Sequence, residues 1–380
     1  MSGTLLTIWF KELKDAIRDR RSLMAAMSYA LFGPMLMAVA FFAVVQEATS
    51  EKDLTVQLEG QEYAPELVLF LQQKGILASK ESEQESGIKL VIPEDYQERL
   101  ATAKAVSIIV RADYSERKNS SNRQRVERAL TEYNQVVASA RLMMRGISPE
   151  VMYAVVSERQ DTATKESRAA LIMGTVMVFV LMSVFFAGMN VAIDTSAGER
   201  ERNSLEFLLA QPVRLIDLVT GKALAAGTFA MLGSVLTLIM IPIVFLFVPL
   251  EKLGIDISFG IGKQAMLALV LIPLALLASA LQLFVSFMAK SFKEAQTYIT
   301  FVMFAPMTIV MVLEFTRFSH VALEYLPVTS QHQVLLGSIN GEPVSFIAMV
   351  IGALSTFAVA GILLFGVQWK LRSEKAVFGL

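Results

Sequence analysis

Six stretches of this chain are long enough and poor enough in charge to cross a lipid bilayer, and that constrains its fold more than any other feature. A bilayer core about 30 Å thick takes roughly 20 helical residues, and the segment must be helical because lipid offers backbone N–H and C=O groups no partner. Residues 23–45, 169–193, 264–288, 295–313 and 344–367 contain no Asp, Glu, Lys or Arg, and residues 218–248 contain Lys222 alone. The expected fold class is an α-helical polytopic membrane protein, with transmembrane helices at 23–45 and 169–193 and four more within 218–367. Pro34, Pro242, Pro273 and Pro306 fall inside these stretches, and each predicts a kink that neighbouring helices can accommodate. Ala38-Val39-Ala40 looks like a cleavage site, but the apolar run is too long for a secretory signal, so an uncleaved anchor is expected.

The charge sits elsewhere. Of 34 Lys/Arg and 35 Asp/Glu in 380 residues, residues 46–168 hold 17 and 20, with only one of the 24 Phe. A water-soluble segment is thus inserted into a lipid-soluble chain, which excludes a soluble enzyme, a disordered protein and a nucleic-acid-binding domain. The absence of Cys removes disulfides, thiolate metal sites and cysteine nucleophiles. Within the insert, 54–58, 88–92 and 105–110 read as strands, and 65–73 and 94–104 as helices. Val126, Leu130, Tyr133, Val137 and Met144 recur at helical spacing across 123–145, the core face of one long helix. Ser148-Pro149-Glu150 reads as a further helix start, with Ser148 as cap. The outcome is a small α/β domain. It has no Ser-His-Asp constellation and no His cluster, so gating, shielding or ligand capture is expected of it and no catalytic residue is assigned.

Lys and Arg set the orientation. Lys11, Lys14, Arg18, Arg20 and Arg21 precede the first span, Arg200, Arg202, Arg214 and Lys222 follow the second, Lys290 and Lys293 the fourth, and Lys370, Arg372 and Lys375 the sixth, whereas the alternate links hold only Lys252, Lys263 and Arg317. Both termini, including the 368–380 tail, are therefore expected in the cytoplasm, with the 46–168 domain extracytoplasmic. Residues 1–22 read as an interfacial amphipathic helix, with Leu6, Trp9, Phe10, Leu13 and Ile17 on its apolar face and Lys11, Lys14, Asp15 and Arg18 elsewhere.

The cytoplasmic link 194–217 is the most informative segment. Glu199, Arg200, Glu201 and Arg202 form a dense charge cluster, Leu205, Glu206, Leu208 and Leu209 a short amphipathic turn, and Pro212 stops it. Such a helix can offer a face to a cytoplasmic partner. Asn190, Asp194, Gln282, Thr300, Thr308 and Glu314, together with Ser183 and Ser286, are polar groups at or near membrane depth, and the first six are the cargo-pathway candidates, since a hard cation prefers oxygen ligands. His320 and His332 lie in the 314–343 link without a metal spacing and read as surface residues, so no metal site is assigned.

The run from Glu199-Arg200-Glu201-Arg202 through Ser204-Leu205-Glu206-Phe207-Leu208-Leu209-Ala210-Gln211-Pro212-Val213 to Gly221-Lys222 resembles the signature of type-2 ABC exporter permeases. In that family the segment is a coupling helix that docks on an ATPase subunit. Phe10-Lys11-Glu12-Leu13-Lys14-Asp15 resembles the family's N-terminal elbow helix. Ser291-Phe292-Lys293-Glu294-Ala295-Gln296 and Leu326-Pro327-Val328-Thr329-Ser330-Gln331 are similar to segments of its sodium-exporting, NatB-like branch. The resemblance implies a bacterial inner-membrane permease that extrudes Na⁺ or another small cargo. It implies an ABC ATPase partner of the NatA kind, which carries the ATP and Mg²⁺, and a second copy or a sister permease besides membrane lipid.

The chain itself has no G-x-x-x-x-G-K-[ST] run, the nearest being Gly260-Ile261-Gly262-Lys263-Gln264, so it binds no ATP by a P-loop and carries no cofactor of its own. Two other functions remain open on the sequence. One is export of an amphipathic peptide, drug or lipid through a Phe- and Met-rich cleft; the other is a membrane-anchored sensor with an outer ligand-binding domain.

Overall fold

A computed structural model describes residues 3–49, 53–79, 87–115, 119–152, 165–253, 260–316, 320–340 and 344–372, with single residues 155, 255 and 318. The chain divides into two compact units, Thr49–Asp161 and the combination of Met1–Ala48 with Thr162–Leu380.

The unit within 49–161 is an α/β layer whose elements follow local sequence signals. Strand β1 (Leu54–Glu59) turns at Gly60, whose φ of 77° suits glycine, and Pro65 then opens helix α3 (Pro65–Gln73). Strand β2 (Ile76–Ser79) lies parallel to β1 on one side and β3 (Lys89–Val91) parallel on the other; β4 (Ile109–Arg111) is antiparallel to β3, giving the order β2-β1-β3-β4. Helices α4 (Tyr96–Ala101) and α5 (Ser120–Met144) complete it. Alternate residues Leu54 and Val56, and Ile88, Leu90 and Ile92, are buried, as are Leu67 and Leu71 one turn apart. The strand read at 105–110 begins later because its partner β3 offers only Lys89–Val91 to pair with. Ile76–Ser79, four residues without an alternating pattern, carries no strand signal in the sequence. The α5 stripe is buried at Val126 but loosens onward, and its C-terminal Met144 is exposed.

The other unit is helical. Helix α1 (Gly3–Arg18) is followed by α2 (Arg20–Thr49), α6 (Lys165–Ala187), α7 (Met189–Ile193), a π-helical turn at Asp194–Gly198, α8 (Glu199–Glu201) and α9 (Leu205–Leu209). Then come α10 (Leu215–Phe245), α11 (Ile261–Ser286), α12 (Phe292–Thr316), α13 (Thr329–Asn340) and α14 (Phe346–Leu371). Among the described residues six helices have the length and composition to cross a membrane: Met27–Gln46, Ile172–Glu201, Leu215–Phe245, Ile261–Ser286, Phe292–Thr316 and Phe346–Leu371. Each matches one apolar stretch of the sequence. Phe32, Leu36, Leu246, Leu269, Phe301 and Phe365 point outward, an apolar exterior that water would penalise and lipid would not.

Small residues set how closely these helices approach. A Cβ at Gly188, at the α6–α7 junction, would lie 2.7 Å from the Ala226 carbonyl oxygen on α10 and 3.3 Å from Ala230 Cβ. Backbone contact of this kind is a common device for packing membrane helices. Gly188→Leu is therefore expected to push α6 off α10 and to cost about 1–3 kcal/mol. Thermal unfolding of the purified protein checks this, and an unchanged transition would refute it.

Two differences from the sequence reading concern the functional residues. The second span continues through the π-helical turn into α8, so the charged run Glu199–Glu201 belongs to a helix end and not to a separate loop. The 314–343 link holds α13, whose Val334, Leu335 and Ile339 are buried. His332, read as a surface residue, is 1% exposed because α13 packs into the helical unit. The turn into α13 is held by Gln331, whose side-chain oxygen accepts from the Val328 N–H at 2.9 Å and whose amide donates to Thr356 Oγ1 on α14 at 3.0 Å. Those bonds maintain a φ of 70° at Val328, a conformation a β-branched residue seldom adopts.

Candidate functional site

Lys222, the lone charge in its apolar span, organises the site. Its Nζ is 0% exposed and lies 3.0 Å from Glu12 Oε1 on α1 and 2.7 Å from Glu199 Oε2 on α8, the latter an ion pair without hydrogen-bond geometry. Lys11 Nζ closes the cluster at 3.1 Å from Glu12, 3.6 Å from Asp15 and 3.8 Å from Glu199. Glu12 is 2% and Glu199 6% exposed, so these two buried carboxylates depend on the buried Lys222 and the half-exposed Lys11 for compensation. Burial alone would lower the Lys11 pKa, but Glu12, Glu199 and Asp15 together hold it above the ordinary lysine value.

This cluster corrects the expected face of the N-terminal helix. Glu12 and Ala16 are buried while Phe10 and Ile17 are exposed. The inward face follows α10: Trp9 Nε1 donates to Thr228 Oγ1 at 3.2 Å, and a Cβ at Gly221 would lie 2.7 Å from Ile8 Cγ2. The Gly221-Lys222 pair thus combines a close approach of α1 with a buried charge to anchor it. Glu12 and Lys222 lie in runs that carry the family resemblance but are not among the expected coupling or pathway residues. The available signal is Lys222 itself, since an intramembrane lysine demands an acidic partner.

The expected coupling residues divide into anchors and an open face. Glu199 turns in to Lys222, Arg200 Nη1 donates to the Ala289 carbonyl at 3.0 Å, Glu201 accepts from the Phe292 N–H at 2.7 Å, and Arg202 pairs with Asp194 at 2.9 Å. Leu205 is 1% exposed in a core with Val191, Val219 and Leu283, and Leu209 packs partly on it. Leu208 is half-buried, whereas Glu206 is exposed and Phe207 is 75% exposed. Phe207 is the outward aromatic that a reading of Leu205, Leu208 and Leu209 as the apolar set passes over. Between α1 and the π-helical turn lies a polar cavity of about 260 Å³ lined by Lys11, Glu12, Asp15, Asp194, Thr195 and Arg202.

The cargo-pathway candidates do not form one cluster. Gln282 is fully buried and donates to the Phe185 carbonyl, and one turn away Ser196 Oγ and Ser286 Oγ meet at 2.6 Å. These residues line the α6–α7–α11 junction, with Asn190 half-buried on α7. Thr300 and Thr308 are exposed on α12, where Thr300 Oγ1 donates back to the Gln296 carbonyl at 2.7 Å. Glu314, at the far end of α12, faces α13.

A buried charge cluster thus ties an N-terminal helix, a charged helix end and a short exposed turn to long apolar helices. Residues 6–368 match the family described as ABC-2 family transporter protein. The chain belongs to the ABC-2 transporter family. It is 26% identical over 314 residues to the ABC transporter permease protein NatB of Bacillus subtilis (strain 168), covering 79% of this chain and 80% of that one. No solved structure matches it. With six apolar helices, this ABC-2 chain is a multi-pass membrane protein and a permease, and permeases of the family generally work with an ABC ATPase subunit.

Proposed function

We infer that the chain is the membrane-spanning subunit of an ATP-driven exporter of Na⁺ or another small cargo, energised by a separate NatA-like ATPase docked on the α8–α9 turn. The observation that supports this most is the division of that turn. Its inward residues, Glu199 and Leu205, are tied to α10 and α11, while Glu206 and Phe207 stand out as an acidic-aromatic knob. A push on the knob reaches the helices without an intervening flexible segment, which is what differential contacts in two nucleotide states require. α1 then serves as an interfacial elbow, both termini and this turn face the cytoplasm of a bacterial inner membrane, and the 49–161 unit stands outside. Six helices are few to enclose a pathway. The exposed α12 face, with Thr297, Thr300, Phe301, Phe304 and Thr308, suits a second copy across which Thr300 and Thr308 would face the pathway.

A second cargo class has one specific observation in its favour. An apolar cleft of about 390 Å³ between α11, α13 and α14 is lined by Met266, Leu269, Pro273, Val334 and Met349, and an acyl chain or a hydrophobic drug would fit it. Co-purification with candidate ABC ATPases, followed by ATP hydrolysis titrated with Na⁺, K⁺ and amphipathic compounds, separates the two. Stimulation by Na⁺ supports the first reading and stimulation by amphipaths the second; failure to retain any ABC ATPase removes both.

A further inference from the structure

The 49–161 unit holds a cavity of about 510 Å³ between the start of α3, helix α4 and the second half of α5. Much of its wall is apolar, with Leu100, Val136, Val137 and Met144, and its polar side chains are Tyr63, Glu66, Tyr96, Gln97, Tyr133 and Arg141. A cavity of this size, mostly apolar with a few polar groups aimed into it, is the usual form of a small-molecule site.

The polar set carries unused hydrogen-bond donors. Arg141 is half-buried, and its Nη2 donates to the Leu100 carbonyl at 3.1 Å and the Lys104 carbonyl at 3.4 Å. Those two bonds hold the guanidinium in place, while its Nε and Nη1 have no acceptor and its charge no ion-pair partner among the described residues. Tyr96 is 3% exposed, and its hydroxyl lies 3.0 Å from that of Tyr133. Only one of the two O–H groups donates across that contact, so the other has no acceptor among the described residues. Burial, and then the bond to Tyr133, raises the Tyr96 pKa above the ordinary tyrosine value, so its O–H stays in place near neutral pH. Tyr133 is held in turn by Phe70 of α3, with ring centroids 5.3 Å apart.

The same cavity has an acidic side. Glu66 is exposed in the first turn of α3. Glu94, with burial and Glu62, raises the pKa of Tyr63, which puts both carboxylates near that ring. The unit pairs Lys74 with Glu132, Lys89 with Glu59 and Arg99 with Asp95, yet Glu62, Glu66 and Glu94 have no ion-pair partner among the described residues. A simple anion would be repelled by these three carboxylates, and a simple cation by Arg141. A molecule with both charges is opposed by neither.

We propose that this cavity binds a short zwitterionic peptide with apolar side chains, its carboxylate at Arg141 and the tyrosine pair and its ammonium at Glu66. The guanidinium fork suits a carboxylate, and the spare tyrosine O–H adds a further donor. The face of Tyr63 beside Glu66 favours an ammonium group. Two residues extend over at most about 7 Å, and the cube root of the cavity volume is about 8 Å, so a dipeptide spans the space. Its side chains then cover Leu100, Val136, Val137 and Met144. The site lies wholly within one compact unit and does not depend on the exporter reading.

The test is calorimetric titration of the purified full chain in nanodiscs, near neutral pH and at low salt, with thermal unfolding as a second readout. The probes are leucyl-leucine, its N-acetyl form, which lacks the ammonium, and its C-terminal amide, which lacks the carboxylate. Leucyl-leucine is expected to bind, and each blocked form to bind about tenfold or more weakly, the loss of one charge-assisted contact. E66Q is expected to weaken leucyl-leucine to the level of the acetylated peptide and to leave the acetylated peptide unchanged. R141Q is expected to weaken leucyl-leucine to the level of the amide. Because Arg141 also ties down two carbonyls, that variant can lose its fold, and the amide then tests the carboxylate contact without any substitution. Equal binding of the three peptides overturns the site, as does the absence of both heat and a shifted transition with all of them. An E66Q protein that binds free and acetylated peptide with the same loss overturns it too.

Discussion

Lys222→Met is expected to destabilise the helical unit by about 3–5 kcal/mol, the usual cost of removing one partner from a buried ion pair. The side chain is fully buried and holds Glu12 at 3.0 Å and Glu199 at 2.7 Å. Without it, two carboxylates remain in the same enclosed space with only the half-exposed Lys11 for compensation. The damage should therefore centre on α1, which owes its seat on α10 to this cluster and to the Trp9–Thr228 hydrogen bond. Trp9 and Trp369 are the only tryptophans, so in a Trp369→Phe background the emission of Trp9 reports whether α1 stays in place. A red shift together with a lowered unfolding transition is expected for Lys222→Met. Adding Glu12→Gln and Glu199→Gln to it should recover much of the loss, because a neutral cluster no longer strands charge. A Lys222→Met protein with wild-type stability and unchanged Trp9 emission would show that the cluster does not hold α1.

How much of this is readable from the chain alone depends on what the signal is made of. The spans are legible because a charge-free run of bilayer-crossing length is incompatible with an ordinary soluble surface. The core of the 49–161 unit is legible wherever alternation is strong, at Leu54 and Val56 or at Ile88, Leu90 and Ile92, and illegible at Ile76–Ser79, where four residues give no period. Pattern fails where a charged or polar residue faces inward. The apolar face read for α1 passes over Glu12 because that reading counts side-chain character, whereas the buried Lys222 across the gap draws the carboxylate inward. His332 fails for the same reason: a short helix in a polar link gives no sign that tertiary packing draws it in. Thus the motif around Glu199 picks out the candidate segment, but only the packing distinguishes Glu199 and Leu205, which hold the turn, from Glu206 and Phe207, which are exposed and can meet a partner.

That distinction carries the largest expected effect on function. Phe207→Asp and Glu206→Arg change exposed side chains only, so each should leave stability within about 0.5 kcal/mol of wild type. Both should nevertheless abolish retention of the ATPase during co-purification, and with it any cargo-stimulated hydrolysis, because an exposed aromatic set beside a complementary charge is the kind of residue on which interface energy concentrates. Leu205→Asp provides the contrast. It places a charge among Val191, Val219 and Leu283, where no counter-charge lies within the cluster, so it should lose stability and ATPase retention together. The comparison therefore separates docking from scaffolding in one experiment: binding loss with intact stability for the outward pair, and joint loss for the inward leucine. Phe207→Asp that retains the ATPase at wild-type levels would move the docking surface elsewhere and remove the proposed route from the ATPase to α10 through Glu199 and Lys222.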